Sequence, residues 1–164
     1  MPDRDTSSRR REKAATIGNV GLYERYVEAW KRIKLSIDQG FHFEAIAIEE
    51  SIMSNRLKSF LYVTDTKTQR DVNGGTFISF GTLIKRLGKQ AESFPDVASL
   101  DDWRKRRNRA LHALAQSLPG KRPEMDVKAF LEEAKATAVD GARLARQISN
   151  WHRQSLKAAR KRVL

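Results

Sequence analysis

Arg107, Asn108 and His112 are the residues of this chain best suited to chemistry. They lie in or just after its strongest cationic stretch, Arg104-Lys105-Arg106-Arg107-Asn108-Arg109. A guanidinium grips phosphate oxygens through paired N–H donors, and an imidazole, with an intrinsic pKa of about 6.5, moves protons near neutrality. Other catalytic arrangements are scarce. The chain has no cysteine, which excludes disulfides, thiolate zinc sites and cysteine nucleophiles. Its histidines, His42, His112 and His152, are scattered rather than spaced as metal ligands. No Gly-rich phosphate loop, Ser-His-Asp arrangement or paired-carboxylate site stands out. The expectation is a site without metal or cofactor.

The elements that must carry these residues read as helices. Leu22, Tyr26, Trp30, Ile33 and Ile37 recur at helical steps, which predicts a helix over 22–39 ended by Gly40. A second helix, 43–63, is apolar on more than one side (Ile46, Ile52, Met53, Leu57, Phe60, Leu61) and should be central. In it Glu49 and Arg56 share a face, as a structural ion pair; the alternative places Glu49 or Glu50 beside a cleft. Residues 64–77, with Asn73-Gly74-Gly75, read as a polar loop. A shorter third helix spans 80–90, with Leu83, Ile84 and Leu87 inward. The fourth opens at Ser99, capped in the manner of a Ser-x-x-Asp box with Asp102, and runs to about Ser117. The fifth opens near Pro123-Glu124, with Val127, Phe130, Leu131, Ala134, Ala138, Gly141, Ala145, Ile148 and Trp151 inward. The expected fold is all-α, an up-and-down bundle of four to five helices in a single domain over 21–164. Residues 1–20, with Arg9-Arg10-Arg11, read as a disordered basic tail.

On the fourth helix, Leu100, Trp103, Ala110, Leu111, Leu114 and Leu118 form the apolar row, and Arg107 falls within it. A charge on a core-facing row is costly unless it is paired or opens onto a cleft. Asn108 lies about 40° around the helix from His112, but Arg107 lies about 140° from it. Arg107 and His112 border one site only if that site wraps the helix edge or a second subunit supplies half of it.

Arg107, Asn108 and His112, as Arg-Asn-x-x-x-His on a late helix, resemble the signature of the HEPN superfamily (higher eukaryotes and prokaryotes nucleotide-binding). Arg106 also satisfies the looser spacing. The resemblance implies a short helical bundle, a two-fold homodimer with both motifs facing one cleft, and metal-independent RNA cleavage by 2′-hydroxyl transesterification. Under it Arg107 neutralises the phosphate, His112 moves a proton and Asn108 orients one of them. Some HEPN toxins carry a Tyr two residues after the His, which a partner nucleotidyltransferase modifies. This chain has Leu114 there, which argues against that route of control.

The net charge of +12 and pI near 10.3 favour polyanionic partners. RNA is the expected partner, with Arg104, Lys105, Arg106 and Arg109 as phosphate contacts. There is no run of 18 apolar residues to span a membrane and no secretory signal, which points to the cytoplasm. The expected function is a HEPN-type endoribonuclease acting as a toxin or defence component, with a possible antitoxin partner. The competing expectation is a non-catalytic helical module that binds nucleic acid or a partner protein through the basic face.

Overall fold

The computed structural model describes residues 20–90, 94–113 and 126–162. Among these it is all-α, with six helices and no strand: α1 (Val20–Gln39), α2 (His42–Thr64), α3 (Thr66–Asn73), α4 (Phe80–Leu87), α5 (Val97–Ala113) and α6 (Val127–Arg162). The basic tail, the Leu114 and Leu118 positions, and the expected helix start at Pro123-Glu124 lie outside the described residues. No described helix is long and apolar enough to cross a membrane.

Helix α2 is central, as its all-round apolarity requires. It packs most extensively on α6 and also touches α1, α3, α4 and α5. Ile46, Met53, Leu57 and Leu61 of α2 are fully buried against Leu83 and Leu87 of α4, Leu100 and Trp103 of α5, and Leu144 and Ile148 of α6. Helix α1 ends in a Schellman turn. Phe41 N donates to Ser36 O (2.7 Å) and Gly40 N to Ile37 O (3.3 Å), with Gly40 at φ +82°, a conformation that favours glycine.

Helix α3 corrects the expected polar loop. It has no apolar row, so periodicity does not reveal it; side-chain hydrogen bonds hold it instead. Asp65 caps it, accepting from Thr68 N (2.9 Å) and Thr68 Oγ1 (2.6 Å). Arg86 of α4 donates to Thr68 Oγ1 (3.0 Å) and to Asp71 (2.5 Å). Thr68 is fully buried and the Arg86 side chain is 14% exposed, so water cannot replace these bonds cheaply. Arg86→Met is expected to cost about 1–3 kcal/mol in urea unfolding, the range for removing a hydrogen-bonded charge partner from a partly buried site.

Two further expectations change. Asp96, not Ser99, caps α5: Ser99 N donates to Asp96 Oδ1 (3.3 Å). On α6, whose first turn is capped by Asp126 Oδ1, Val127 and Leu131 are exposed rather than inward. Periodicity marks which face of a helix is apolar, not how far along its length a neighbour covers it.

His152 is buried on α6, and its Nε2 has no hydrogen-bond partner among the described residues. Burial, with the Arg56 charge adding, pushes its pKa down to about 4. The unfolded chain therefore takes up a proton near pH 6.5 that the folded chain refuses. The His152 contribution to stability is expected to fall as pH drops from 6.5 toward 4, by at most about 1.4 kcal/mol per pH unit. The gap between the urea midpoints of the wild type and His152→Gln, compared at pH 7 and pH 5, isolates this contribution from other titrating groups.

Candidate active site on helix α5

Helix α5 crosses α2, α4 and α6, and its buried row sets the register of everything on it. Leu100, Trp103 and Ala110 are buried and Leu111 is partly so. Trp103 Nε1 donates to Thr137 O of α6 (2.9 Å), and its ring meets Phe80 edge-on at 6.0 Å. Trp103 is thus a fixed core residue.

One turn on, Arg107 occupies the row as the sequence suggests, and its side chain is only 20% exposed. It has two partners. Its Nη2 is ion-paired with Glu50 of α2, which is equally shielded, and its Nη1 donates to Asn108 Oδ1 (2.5 Å). Its Nε is buried without a partner among the described residues. Burial lowers the Arg107 pKa.

Glu50, on the other side of that pair, lines a cleft of about 500 Å³ between α2 and the α3–α4 connection. The Arg107–Asn108 pair is therefore built into the helix packing and reaches a cleft through Glu50. His112 lies in the last turn of α5 and is exposed. The structure joins Arg107 to Asn108 but shows no bond from either to His112. For Arg107 this is what its angular separation from His112 requires; Asn108, which shares a face with His112, is turned to Arg107 instead.

The remaining cations of the stretch are all engaged. Arg104 binds Asp101 (2.8 Å), and Lys105 binds Asp101 (3.1 Å) and Asp102 (3.4 Å). Arg106 pairs with Asp140 of α6, which also takes Arg143 (2.6 Å). Arg109 reaches Glu133 of α6 through Nη2 (2.7 Å) and Nε (3.2 Å). Burial works against the Asp140 charge, but hydrogen bonds from Arg106 and Arg143 hold its carboxyl below the usual range. The hydrogen bonds of Arg104 and Lys105 do the same for Asp101. Arg104, Lys105, Arg106 and Arg109 are thus matched with carboxylates from α5 and α6. Asp101 and Asp102, three and four residues before their partners, were visible in the sequence. Glu133 and Asp140 were not, because they depend on how α5 packs on α6.

The Glu49–Arg56 pairing does not form. Arg56 lies over the Tyr26 ring, 4.1 Å from its centre. Glu49 is fully buried, and neither carboxylate oxygen has a hydrogen-bond partner among the described residues. Seven residues is about 10 Å along a helix, too far for these side chains once each turns to a different neighbour. Burial, with the Asp140 charge adding, pushes the Glu49 pKa up to about 9. Among the described residues, no cluster of His, Asp and Glu has the arrangement of a metal site.

Comparison with protein-family models, curated proteins and solved structures finds no match to this chain.

Proposed function

We propose that this chain is a metal-independent endoribonuclease of HEPN type, a cytoplasmic toxin or defence component, formed as a two-fold dimer of up-and-down helical bundles. The observation that carries this reading is the placing of Arg107. It is a charge on a core-facing row, shielded from water, bonded to Asn108 and to a cleft-lining carboxylate, with an exposed His112 on the same helix. A charge kept on a core-facing row at that cost suggests a task beyond solubility.

In the proposed reaction one His112 takes the proton of an RNA 2′-hydroxyl. The 2′-oxygen attacks phosphorus, the bond to the 5′-oxygen breaks, and the His112 of the second subunit returns a proton to that leaving oxygen. Arg107 exchanges Glu50 for a non-bridging phosphate oxygen as charge builds there. Asn108 holds the guanidinium in place during the exchange. The products are a 2′,3′-cyclic phosphate and a 5′-hydroxyl, and the 2′-hydroxyl requirement selects RNA over DNA.

The test is incubation of the chain and its His112→Ala form with mixed-sequence RNA in EDTA, followed by end-group analysis. Cyclic phosphate ends made by the wild type and not by the variant support the reading; a folded, dimeric wild type that leaves such RNA intact overturns it.

A second reading is favoured by one observation. Because Arg104, Lys105, Arg106 and Arg109 already hold carboxylates, the basic face is less available to phosphate than composition implies. The chain would then be a non-catalytic module that docks a partner protein, such as an antitoxin. Absence of RNA binding even at low ionic strength would support that reading.

A further inference from the structure

The cleft beside Glu50 has a built wall. Helix α3 ends in a Schellman turn: Thr76 N donates to Asp71 O (2.8 Å) and Gly75 N to Val72 O (3.1 Å), with Gly75 at φ +70°. Four residues later Ser79 caps α4, its Oγ accepting from Thr82 N (3.2 Å). The short connection is thus tied at both ends, and α3 is itself bonded to α4 through Arg86. Between these anchors Phe77 stands 90% exposed, the most exposed large apolar side chain among the described residues. Phe77 lines the cleft together with the hydroxyl-bearing Ser51, Ser54 and Thr76, with Lys58 and with Glu50.

An aromatic ring this exposed on a pinned loop is left with its face free to stack on a ligand. Beside hydroxyls and a cation it matches an unpaired nucleobase. The π face stacks on a base, hydroxyls meet its edge, and an ammonium meets the flanking phosphate. The volume, about 500 Å³, suits a nucleotide-sized ligand. Glu50 links this wall directly to Arg107.

We propose that the Phe77 cleft takes an unpaired base of single-stranded RNA next to the phosphate held by Arg107. This rests on the ribonuclease reading for that phosphate, and it adds a selection for single-stranded over duplex RNA, whose bases are already stacked.

The test measures fluorescence anisotropy of a labelled, 2′-O-methylated octaribonucleotide, which cannot be cleaved by its own 2′-oxygen, against the full chain. Phe77→Ala should weaken single-strand binding by about ten-fold, within the range for losing one base–aromatic stack. Phe77→Trp should restore it, Phe77→Leu should not, and the duplex form should be indifferent to all three. Phe77 is on the surface, so these variants should fold. Equal single-strand binding by the wild type and Phe77→Ala overturns the proposal, as does a wild type that binds no single strand. Cleavage of ordinary RNA is scored in parallel. Cleavage with Phe77-independent binding sinks the base subsite alone, and Phe77-dependent binding without cleavage sinks the ribonuclease reading alone.

Discussion

Gly141→Ala is expected to destabilise the chain by about 2 kcal/mol or more, although alanine is the better helix former by about 1 kcal/mol. Gly141 is buried in the middle of α6, where that helix meets α2 and α5. A methyl group there would fall 2.7 Å from Trp103 Nε1 and 2.8 Å from the Glu49 carboxyl carbon, and would overlap Glu49 Oε2. Neither neighbour has room to retreat, since Glu49 and Trp103 are both fully buried and Trp103 is bonded to Thr137. Thermal or urea unfolding of Gly141→Ala measures the loss. The same change made in a Glu49→Ala background should cost less, because the overlapping atoms are gone, with a coupling of about 0.5–3 kcal/mol. Equal costs in the two backgrounds would show that Glu49 is not what Gly141 accommodates.

Glu49 adds a pH signature to the same contact. Its folded pKa of about 9 lies above the 4.5 of a free side chain. The folded chain thus keeps a proton that the unfolded chain gives up. The contribution is fully present below pH 4.5 and is lost as pH rises toward 9, at no more than about 1.4 kcal/mol per pH unit. Between pH 4.5 and 6.5 this contribution opposes that of His152, so Glu49→Gln should flatten the alkaline fall and unmask the acid fall assigned to His152.

Under the proposed ribonuclease reading, His112→Ala is expected to lower RNA cleavage by about 10²–10⁴-fold, the usual loss for a proton-transfer group, while RNA affinity changes little. Arg107→Ala should cost cleavage about 10²–10³-fold, the scale for a donor aimed at developing charge. It also leaves Glu50 without its ion-pair partner, so stability should be measured beside activity. Glu50→Gln separates the two tasks of Arg107. If Arg107 serves only the fold, Glu50→Gln costs stability and does nothing to RNA. If it serves phosphate, removing its competitor tightens RNA binding even as the folded state weakens. Binding that stays unchanged in a destabilised Glu50→Gln chain would take Arg107 out of the site.

Much of this architecture was legible because burial writes a period into the sequence. Helices α1, α2 and α4 follow their apolar rows, and Gly40 marks a real stop. Helix α3 escaped because only Thr68 of its residues is buried and side-chain bonds hold it. Arg107 could be singled out because one charge among Trp103, Ala110 and Leu111 is conspicuous. Its partner Glu50 could not be assigned, because the pair exists only through the packing of α2 on α5. Phe77 carried no signal at all: a single aromatic in a polar stretch gains meaning only once both ends of its loop are seen to be tied.

The pairing of the α5 cations bears on how this chain would meet a polyanion. A nucleic acid is sheathed in condensed counterions, and a ligand draws its driving entropy from those it displaces, with a slope of about −0.7 in log affinity per log salt for each single-strand phosphate neutralised. Arg104, Lys105, Arg106 and Arg109 are already satisfied by the protein's own carboxylates. They displace few ions unless those carboxylates let go. The α5 stretch should therefore add far less to the salt dependence than four free cations would. Strand choice at that stretch would rest on fit rather than on the osmotic pull of the ion cloud.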